Sequence, residues 1–403
     1  MRILQVNKYH HNKGGADKYY LNLSKLLEKR GHDLAYFSMQ HPDNIKSNWS
    51  KYFVSNIEFN NGNLFDKFKS PFRIFYSQEA KRKFEKLIIE FKPEIIHLHN
   101  IYHQISPSIL HISRKYKIPT IIHLHDYKLI CPNYQLFVNN NVCEDCKVYK
   151  YYNCFIKKCH KNSYSKSALV TLEMYFHHRL LNIYRKNIDY LISPSNFLRN
   201  KFIDFAWDKN KITTIYNPFD SNLKRDSKIK TEDYLLYFGR LSKEKGIDTI
   251  IKALENTNIL LNIVGIGDYE NELKNLASKL NVRVNFLGYK EKQELSEIIQ
   301  KAKAVIIPSV WYENMPLNML EALSLEKIVI ASNIGGMPEI IKDKQNSFLF
   351  EPGSVNSLKE TILNLDNYNL REIEKKAGLS VLNLSPANNL DQVLSVYKRF
   401  INK

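Results

Sequence analysis

The sequence predicts an α/β protein made of two doubly wound, Rossmann-like domains. At 403 residues the chain is longer than one ordinary core accommodates, which favours two domains. Short apolar strand segments alternate with helical periodicity in both halves, the pattern of parallel sheets covered by helices. Between the halves, residues 220–231 are polar and charged without an apolar pattern. We therefore predict domains at 1–218 and 234–385, joined by a linker at 219–233.

The first domain opens with a predicted strand at 2–7, a turn containing two glycines and a helix at 16–30. Gly14 and Gly15 stand where the helix begins, so the backbone can approach a ligand phosphate there. A simple turn explains two adjacent glycines equally well. Residues 34–38 then form the second strand of a predicted parallel unit.

Two later strands of this domain each end in alternating histidines, His97 with His99 and His123 with His125. Ligands of open α/β sheets bind at the carboxyl ends of strands, and residues two apart share one face of a strand. The four imidazoles therefore indicate either a ligand site or a set of packed side chains. The rest of the domain is predicted to contain helices at 167–187 and 196–205 and strands at 190–195 and 212–216.

The stretch 131–166 departs from this alternation and holds all five cysteines of the chain. The apolar stretch at the N-terminus is too short for a signal peptide, and the sequence has no apolar run long enough to span a membrane. We therefore expect a cytoplasmic protein, in which disulfides are rare. A Cys-x-x-Cys pair with further cysteines is typical of a structural zinc site, here formed by four of the five. Reduced thiols and redox or disulfide chemistry are the alternatives. The cysteines are Cys131, Cys143, Cys146, Cys154 and Cys159.

The formal net charge of +18 is unevenly distributed. Residues 1–200 hold 31 Lys and Arg against 15 Asp and Glu, whereas residues 201–403 hold 28 against 26. The excess in the first half indicates an anionic partner, such as a membrane surface or nucleic acid, unless it reflects a Lys- and Asn-rich composition alone. Within 65–92, aromatic residues interleave with Lys and Arg, as in helices that lie at a membrane interface.

The second domain repeats the alternation and places cations at its first turn from strand to helix. A strand at 234–238 leads into Arg240, with Lys245 five residues later. A diphosphate would meet a planar guanidinium fork and a compact ammonium at this turn. The next strand, at 260–264, ends in Gly265. Further predicted elements are helices at 269–280 and 291–301 and strands at 282–287, 304–307, 328–331 and 348–350.

Two carboxylates stand eight positions apart after the strand at 304–307. Glu313 lies in the loop, and Glu321 lies in a helix that we predict to begin at Pro316, since proline lacks the N–H that would be unpaired there. A helix N-terminus has unpaired N–H groups and about half a positive charge, which suits a phosphate. Carboxylates beside a phosphate site are suited to binding sugar or ribose hydroxyls. A loop charge and a solvated helix residue are the alternative for any such pair.

Taken together and in order, these residues resemble the retaining family-4 glycosyltransferases, which have the GT-B fold. The resemblance covers nearly the whole chain, and no single motif would be specific alone. It rests on Gly14-Gly15, His125-Asp126-Tyr127 with Cys131-Pro132, Ser193-Pro194-Ser195, Tyr216-Asn217-Pro218, Gly239-Arg240-Leu241 with Lys245-Gly246, Val264-Gly265 with Gly267, and the Glu-x7-Glu pair Glu313 and Glu321 with Pro316-Leu317.

The resemblance implies an acceptor-binding first domain, a nucleotide-sugar-binding second domain facing it across a central cleft, and a C-terminal helix at 386–403 that packs back on the first domain. It assigns the donor diphosphate to Arg240 and Lys245 and the ribose to Glu321. It places Glu313 and His125 beside the transferred sugar.

Further contacts to the donor follow from the same resemblance. The backbone after Glu313 would touch the sugar or phosphate, Gly265 would belong to the donor site, and Gly14-Gly15 would close over the phosphates. The backbone segment consists of Asn314, Met315, Pro316 and Leu317.

The implied activity is metal-independent hexosyl transfer with retention, and the sequence has no Asp-x-Asp motif for Mg²⁺. No cofactor is expected for catalysis, apart from the possible structural zinc. The expected partners are a UDP- or GDP-sugar, a glycan or lipid-linked acceptor of bacterial polysaccharide, capsule or lipopolysaccharide synthesis, and the cytoplasmic face of the inner membrane, with no nucleic acid. The alternatives are a sugar-nucleotide 2-epimerase of similar fold and a non-catalytic basic protein that binds membrane or nucleic acid.

Overall fold

The computed structural model describes residues 1–56, 73–219 and 224–401. The chain divides into two compact units, and the main segment of the second begins at Tyr216, shortly before the predicted end of the first domain. The described part of the predicted linker is attached to the second unit, since Arg225 Nη1 lies 2.6 Å from Glu326 Oε2. The N-terminal unit comprises Met1–Leu136, Glu144–Ile215 and Asn389–Lys403, and the C-terminal unit comprises Phe137–Cys143 and Tyr216–Asn388.

Eight strands lie in the described residues of the first half of the chain. They are β1 (Arg2–Val6), β2 (Asp33–Phe37), β3 (Ile95–Leu98), β4 (Thr120–His123), β5 (Phe137–Val138), β6 (Asn141–Val142), β7 (Tyr190–Ser193) and β8 (Ile212–Thr214). Six of them form one parallel sheet in the order β2-β1-β3-β4-β7-β8, and β5 and β6 form a separate antiparallel pair.

The following α-helices accompany these strands in the described residues of this half. They are α1 (Gly15–Lys29), α2 (Gln78–Phe91), α3 (Ile109–Lys115), α4 (Tyr152–Ile156), α5 (Tyr164–Tyr175), α6 (Ile183–Asn187) and α7 (Asn196–Asp204). The single helix predicted at 167–187 is wrong, because a π-helical turn at Phe176–Leu180 follows α5 and Asn182 then adopts a left-handed φ of 47°.

One face of the N-terminal sheet is covered by α1 and by the last helix of the chain. Strand residues such as Ile3, Ile95 and Ile121 pack there against Leu23 of α1 and Tyr397 of the last helix. The inward side chains of α1 recur at helical spacing, which is why its apolar residues meet the sheet together.

The C-terminal unit has a second parallel sheet of six strands in the order β11-β10-β9-β12-β13-β14. Its strands are β9 (Tyr234–Phe238), β10 (Leu260–Val264), β11 (Val284–Phe286), β12 (Ala304–Ile307), β13 (Val329–Ser332) and β14 (Phe348–Phe350). Its helices are α8 (Ile247–Ala253), α9 (Glu270–Lys279), α10 (Lys292–Lys301), α11 (Leu317–Ser324), α12 (Met337–Ile340), α13 (Val355–Leu363) and α14 (Leu370–Ser380), and α15 (Pro386–Ile401) ends the described chain. Short 3-10 turns occupy Asn48–Tyr52, Lys147–Tyr149, Lys209–Lys211, Lys243–Lys245, Leu365–Asn367 and Leu382–Leu384.

Both faces of the C-terminal sheet are buried. In β9, Leu235 and Tyr237 enter one core cluster, whereas Tyr234, Leu236 and Phe238 enter the other. A continuous apolar strand of this kind is what a sheet covered by helices on both faces requires. The prediction of two doubly wound sheets is confirmed.

In each sheet the strand order reverses direction once, between β1 and β3 and between β9 and β12. Ligands of open α/β sheets bind beside the carboxyl ends of the strands at such a reversal. Each unit therefore has one sheet edge at which a ligand site is expected.

The interfacial helix predicted within 65–92 is only partly described, since residues 57–72 lie outside the described residues. In the described part, Phe84 of α2 is buried, with its ring centroid 5.0 Å from that of Phe37. Tyr76 Oη lies 2.8 Å from His111 Nδ1. For α2 the prediction is wrong, because its apolar face, which includes Phe84, Leu87 and Ile88, is buried in the core. None of the described helices is long and apolar enough to cross a bilayer.

Candidate active site

Four strands of the C-terminal sheet, β9, β10, β12 and β13, bring their following loops together at the reversal point. A Cβ added to Gly265, after β10, would lie 1.9 Å from the carbonyl oxygen of Gly239, which follows β9. A Cβ on Gly335, after β13, would lie 2.1 Å from the carbonyl oxygen of Glu313, which follows β12. Only glycine permits these backbones to touch, and both glycines also have positive φ. The loops that carry the predicted donor-binding residues are therefore packed side by side.

Glu313 is the centre of the charged groups at this edge. Its side chain is buried, and its Oε1 accepts hydrogen bonds from Lys245 Nζ at 2.6 Å, Ser309 Oγ at 2.7 Å and Trp311 Nε1 at 2.9 Å. The Lys245 ammonium also lies 5.4 Å from the Trp311 ring centroid. In the part of the chain that the structure describes, these donors all meet one carboxylate oxygen.

The protonation state of Glu313 follows from these contacts. Burial acts to raise the pKa of this carboxyl, but the Lys245 charge and the three hydrogen bonds outweigh it and hold the pKa below its usual value. Glu313 is therefore ionised at neutral pH. A carboxylate with a lowered pKa is a good hydrogen-bond acceptor and a poor general base.

Arg240 lies at the same edge, immediately after Gly239. Its Nη2 is 2.6 Å from Glu244 Oε1, which also accepts a hydrogen bond from Ser242 Oγ at 2.8 Å. The Arg240 carbonyl accepts a hydrogen bond from Tyr237 Oη at 2.8 Å, so the backbone that carries the guanidinium is fixed. The Arg240 side chain is 62% exposed and remains accessible to an anionic ligand.

The segment after Glu313 leads into α11. The helix begins at Leu317, one residue later than predicted, because Pro316 has an extended ψ of 124° and caps the helix from outside. Asn314 precedes the buried Met315, whose carbonyl oxygen lies 3.4 Å from Asn217 Nδ2. The segment therefore connects Glu313 to the first turn of α11.

Glu321 lies on the fifth residue of α11 and is half-buried. The same helix is attached to β9, since Asn318 Nδ2 donates to the Phe238 carbonyl at 3.0 Å. The helix that carries Glu321 is thus bound to the strand that leads to Arg240.

The sequence patterns do not predict several residues of this site. Ser309 and Trp311 carry no recognisable spacing, although both lie within four positions of Glu313. Gly335-Gly336 was visible as a pair of glycines, and the Gly336 amide donates to the Glu313 carbonyl at 2.7 Å. Glu339 accepts a hydrogen bond from Tyr216 Oη at 2.9 Å. An adjacent glycine pair after a strand was the signal that could have identified this loop.

In the N-terminal unit, Gly14 and Gly15 lie at the start of α1, as predicted, and both are exposed. Gly14 is extended and serves as the N-cap. Its amide donates to the buried Asp17 carboxylate, which also accepts a hydrogen bond from Asn7 Nδ2 at 2.8 Å. The Gly14 amide, which a phosphate at this helix start would need as a donor, is therefore already bonded to the Asp17 carboxylate.

His125 follows β4 and lies in a group of imidazoles at the end of the N-terminal sheet. Its Nε2 is 2.9 Å from His99 Nδ1, and its ring stacks on that of His123 with centroids 4.9 Å apart. His97, His99 and His123 are completely buried. Three of the four imidazoles are thus packed side chains, and His125 is the half-buried member at the edge.

A buried ion pair supports the loop that begins with His125. Lys128 Nζ lies 2.8 Å from Glu173 Oε2 and 3.2 Å from the Pro132 carbonyl oxygen, and His103 Nε2 lies 3.1 Å from the same Glu173 oxygen. Burial opposes ionisation of Glu173, but the charges of His103 and Lys128 hold its pKa far below the usual value. This pair joins α5 to the segment that contains Cys131-Pro132.

The five cysteines are free thiols, and Cys131, Cys146 and Cys154 are buried. The Cys154 and Cys159 thiols share a hydrogen bond. Cys131 and Cys146 lie close enough to Cys159 that negative charge on them raises its pKa. Cys143 belongs to Phe137–Cys143, which is part of the C-terminal unit. Within the described residues, no three cysteine sulfurs lie within 4.8 Å of one another.

One group of possible metal ligands occurs in the described chain, His11, His41 and Asp43, whose ligand atoms lie within 4.8 Å of one another. The His41 Nδ1 atom accepts a hydrogen bond from the Asp43 amide at 3.2 Å, and the two imidazoles stack with centroids 4.3 Å apart. His11 Nδ1 lies 3.1 Å from Asn44 Oδ1. These contacts account for the cluster as a packed polar group.

Comparisons with known proteins agree with this arrangement. The family model for Glycosyltransferase Family 4 matches residues 13–223, and that for Glycosyl transferases group 1 matches residues 219–380. An uncharacterised 42.6 kDa protein of the cps region of Klebsiella pneumoniae is 25% identical over 393 residues, which cover 91% of this chain and 97% of that protein.

Solved structures show the same fold over nearly the whole chain. The Anabaena protein HepE, in complex with UDP and glucose, superposes with a TM-score of 0.70 at 17% identity, covering 99% of this chain and 100% of HepE. The lipopolysaccharide outer core galactosyltransferase WaaB superposes with a TM-score of 0.64 at 17% identity, covering 99% of this chain and 100% of WaaB. The predicted GT-B fold is confirmed. Since one family model spans more than half of the sequence, the chain belongs to Glycosyltransferase Family 4.

Proposed function

We propose that the protein transfers a hexosyl group, with retention, from a UDP- or GDP-sugar to a glycan or lipid-linked acceptor. The observation that carries this proposal is the ionised, buried Glu313, which is bound by Lys245 at the sheet edge that also presents Arg240. A carboxylate acceptor beside two cations fits a ligand that combines sugar hydroxyls with a diphosphate. The UDP and glucose in the HepE structure support a nucleotide-sugar donor.

In this proposal the cations act on the leaving group. Negative charge grows on the diphosphate as the glycosidic bond breaks, so Arg240 and Lys245 stabilise the transition state more than the ground state. The acceptor hydroxyl forms the new bond on the same face of the sugar, and its proton passes to the departing diphosphate oxygen. Glu313 orients the sugar as a hydrogen-bond acceptor, Glu321 binds the ribose, and no metal or cofactor is required for these steps.

We place the reaction in the synthesis of a bacterial surface polysaccharide, capsule or lipopolysaccharide. The Klebsiella relative is encoded in a cps region, and WaaB is a lipopolysaccharide galactosyltransferase of the same fold. Both comparisons support a glycan or lipid-linked acceptor.

The donor is tested by thermal shift with UDP- and GDP-sugars, followed by turnover assays. We expect Arg240→Ala and Glu321→Ala each to reduce donor binding or turnover at least tenfold, or about 1.4 kcal/mol. Arg225→Ala is the matched control, because Arg225 forms a surface ion pair in the same unit. Unchanged turnover in both site variants would contradict the assignment of Arg240 and Glu321 to the donor site. Conversion of the nucleotide-sugar without an acceptor would instead identify an epimerase.

We further propose that the protein works at the cytoplasmic face of the inner membrane and that α4 and α5 make the contact. Residues 147–180 contain seven Lys and Arg, and their one acidic residue, Glu173, is buried. Tyr152, Phe155, Ile156 and Tyr164 are large apolar side chains that are all more than 40% exposed. The Phe155 and Tyr164 rings are 5.3 Å apart, so the exposed surface is continuous across both helices.

Apolar and aromatic side chains surrounded by lysines suit an anionic lipid surface, because the rings enter the headgroup region and the ammonium groups pair with phosphates. Lys158 Nζ lies 4.3 Å from the Tyr164 ring centroid, within this surface. The surface therefore offers both parts of an interfacial contact.

Vesicle flotation tests this surface. We expect wild-type protein to float with phosphatidylglycerol vesicles at low salt and not with phosphatidylcholine alone, and Phe155→Glu with Ile156→Glu to reduce the floated fraction at least fivefold. The control introduces glutamates at Leu363 and Leu379, which are exposed to a similar extent in the C-terminal unit. Equal loss in both double variants, or no flotation of wild type, would contradict the proposed contact.

A further inference from the structure

His99 contacts the side chain of His125, and Gln5 contacts that of His99. His99 Nδ1 lies 2.9 Å from His125 Nε2, and His99 Nε2 lies 3.0 Å from Gln5 Oε1. Gln5 and His99 are completely buried. The three side chains therefore form one hydrogen-bonded row that runs from the interior of the sheet to the half-buried His125.

The sheet register explains why these residues meet. Gln5 of β1 is aligned with His97 of β3, which in turn is aligned with Ile121 of β4. Residues two apart in a strand share a face, so His99 and His125 lie on the same face as Gln5, each further toward the carboxyl ends. Gln5 lies within the sheet, and His99 and His125 follow shortly after β3 and β4.

The chemistry of the row determines where the protons lie. An amide oxygen only accepts hydrogen bonds, so His99 Nε2 must carry a proton and donate it to Gln5 Oε1. Burial lowers the pKa of His125 to about 3 and holds that of His99 well below its usual value, so each ring carries a single proton at neutral pH. His99 Nδ1 is then an acceptor, and His125 must donate from its Nε2.

We propose that His99 is a positioning residue that fixes His125 in the tautomer with the proton on Nε2 and the lone pair on Nδ1. In this state His125 Nδ1 is a hydrogen-bond acceptor and not a donor. If the proposed glycosyl transfer is correct, His125 takes part in it through Nδ1 only as an acceptor. The assignment of His99 itself does not depend on that reaction.

The orientation of the Gln5 amide makes the proposal falsifiable. If the amide nitrogen faced His99, His99 Nε2 would become the acceptor, Nδ1 would carry the proton, and His125 would hold its proton on Nδ1. The two arrangements give opposite tautomers of His125. A measurement of the tautomer therefore decides between them.

His97 provides a matched control for His99. It lies two residues earlier, within β3, and is equally buried, but its Nδ1 bonds Tyr397 Oη at 2.6 Å. A substitution at His97 disturbs the packing of the row without removing the partner of His125 Nε2.

The experiment uses the full chain with ¹⁵N-labelled histidine and two-bond ¹H–¹⁵N spectra, in which His125 is assigned by its loss in His125→Gln. We expect the Nε2–H tautomer in wild type, in His97→Asn and in His99→Asn, whose amide oxygen can replace His99 Nδ1 as the acceptor. We expect His99→Leu to give a mixture of tautomers. An Nδ1–H tautomer in wild type, or an unchanged tautomer in folded His99→Leu, would overturn the proposal.

Turnover provides the second measurement. We expect His99→Leu to lower kcat about tenfold or more with little change in the KM of the donor, and His99→Asn to restore most of the loss. A loss of similar size in His97→Asn would show that only packing is involved. If no sugar donor is turned over by wild type, the proposed function fails, whereas the spectra still test the tautomer.

Discussion

The Lys245 ammonium lies 2.6 Å from Glu313 Oε1, and this pair joins the first turn of the C-terminal sheet to the loop after β12. Glu313 is buried, whereas the Lys245 side chain is 20% exposed. The lysine therefore neutralises the carboxylate and can also face a ligand. A single contact thus supports both the packing of the loops and the charge that a diphosphate requires.

Lys245→Met is expected to destabilise the C-terminal unit as well as impair donor binding. It would leave a buried carboxylate without its cation, at a cost of about 1.5–3 kcal/mol. Thermal unfolding and donor titration measure the two effects. In the double variant with Glu313→Gln most of the stability should return, because no unpaired charge remains, whereas donor binding should not. Lys252→Met, which removes an exposed ion pair with Asp248, is the control and should change stability little.

The sequence predicted the strands and the charged residues of this site better than it predicted which of those residues pair. The strand predicted at 260–264 has the observed bounds of β10, because its apolar run ends at a glycine. Arg240, Lys245 and Glu313 were all expected at the donor site. Their pairing was not, since Lys245 was expected on a phosphate and lies on Glu313 in the structure. Which cation meets which carboxylate depends on how the loops fold against each other, and no periodicity encodes that.

The helix predicted at 167–187 failed for a similar reason. The apolar residues of this stretch fit a helix throughout, but Asn182 adopts a left-handed conformation after the π-helical turn. His177 Nε2 contacts the Phe75 carbonyl oxygen at 2.7 Å within this turn. A tertiary contact of this kind has no signature in the local sequence.

Gly335→Ala is expected to disrupt the loop that supports Glu313. The added Cβ would lie 2.1 Å from the Glu313 carbonyl oxygen and 2.7 Å from its nitrogen, so the backbone of one loop must move. We expect weaker donor binding, measured by titration, and a lower melting temperature. The left-handed φ of 68° alone accounts for about 1–2 kcal/mol of the loss.

Gly288→Ala separates the two contributions. Gly288 has nearly the same φ, 67°, but a Cβ there would meet no atom within 4 Å. Gly288→Ala should lose stability because of its left-handed φ, as Gly335→Ala does, but it should bind the donor normally. If both variants bound the donor equally well, the loop after β13 would have no role in the site.

The cysteines are expected to bind about one zinc per chain. Four thiols in a tetrahedral site need sulfur atoms about 3.8 Å apart for Zn–S bonds of about 2.3 Å. Cys131, Cys146, Cys154 and Cys159 are neighbours in the N-terminal unit. Metal analysis of the purified protein, with a thiol titration, measures the occupancy. Five titratable thiols without zinc would assign the segment to reduced cysteines. Zinc retained in Cys143→Ser would leave the other four cysteines as the ligands.

The buried imidazoles are expected to make the N-terminal unit sensitive to acid. Burial lowers the pKa of His97 and of His125 to about 3 and holds those of His99 and His123 well below the usual value. Below pH 6.5 the unfolded chain binds protons that the folded unit excludes, so stability is complete above about pH 6.5 and falls as the pH decreases toward about 3. Each histidine contributes about 1.4 kcal/mol per pH unit in this window.

Circular dichroism melts between about pH 7.5 and 4.5 measure this loss. His97→Gln removes one group that titrates in the unfolded chain but not in the folded unit, so its stability should fall less steeply with decreasing pH, by about one proton. The variant can be less stable than wild type at pH 7 and still meet this expectation, because the slope is the quantity compared. A melting temperature that does not change between about pH 6.5 and 5, or an equal slope in wild type and His97→Gln, would show that these histidines accept protons in the folded state.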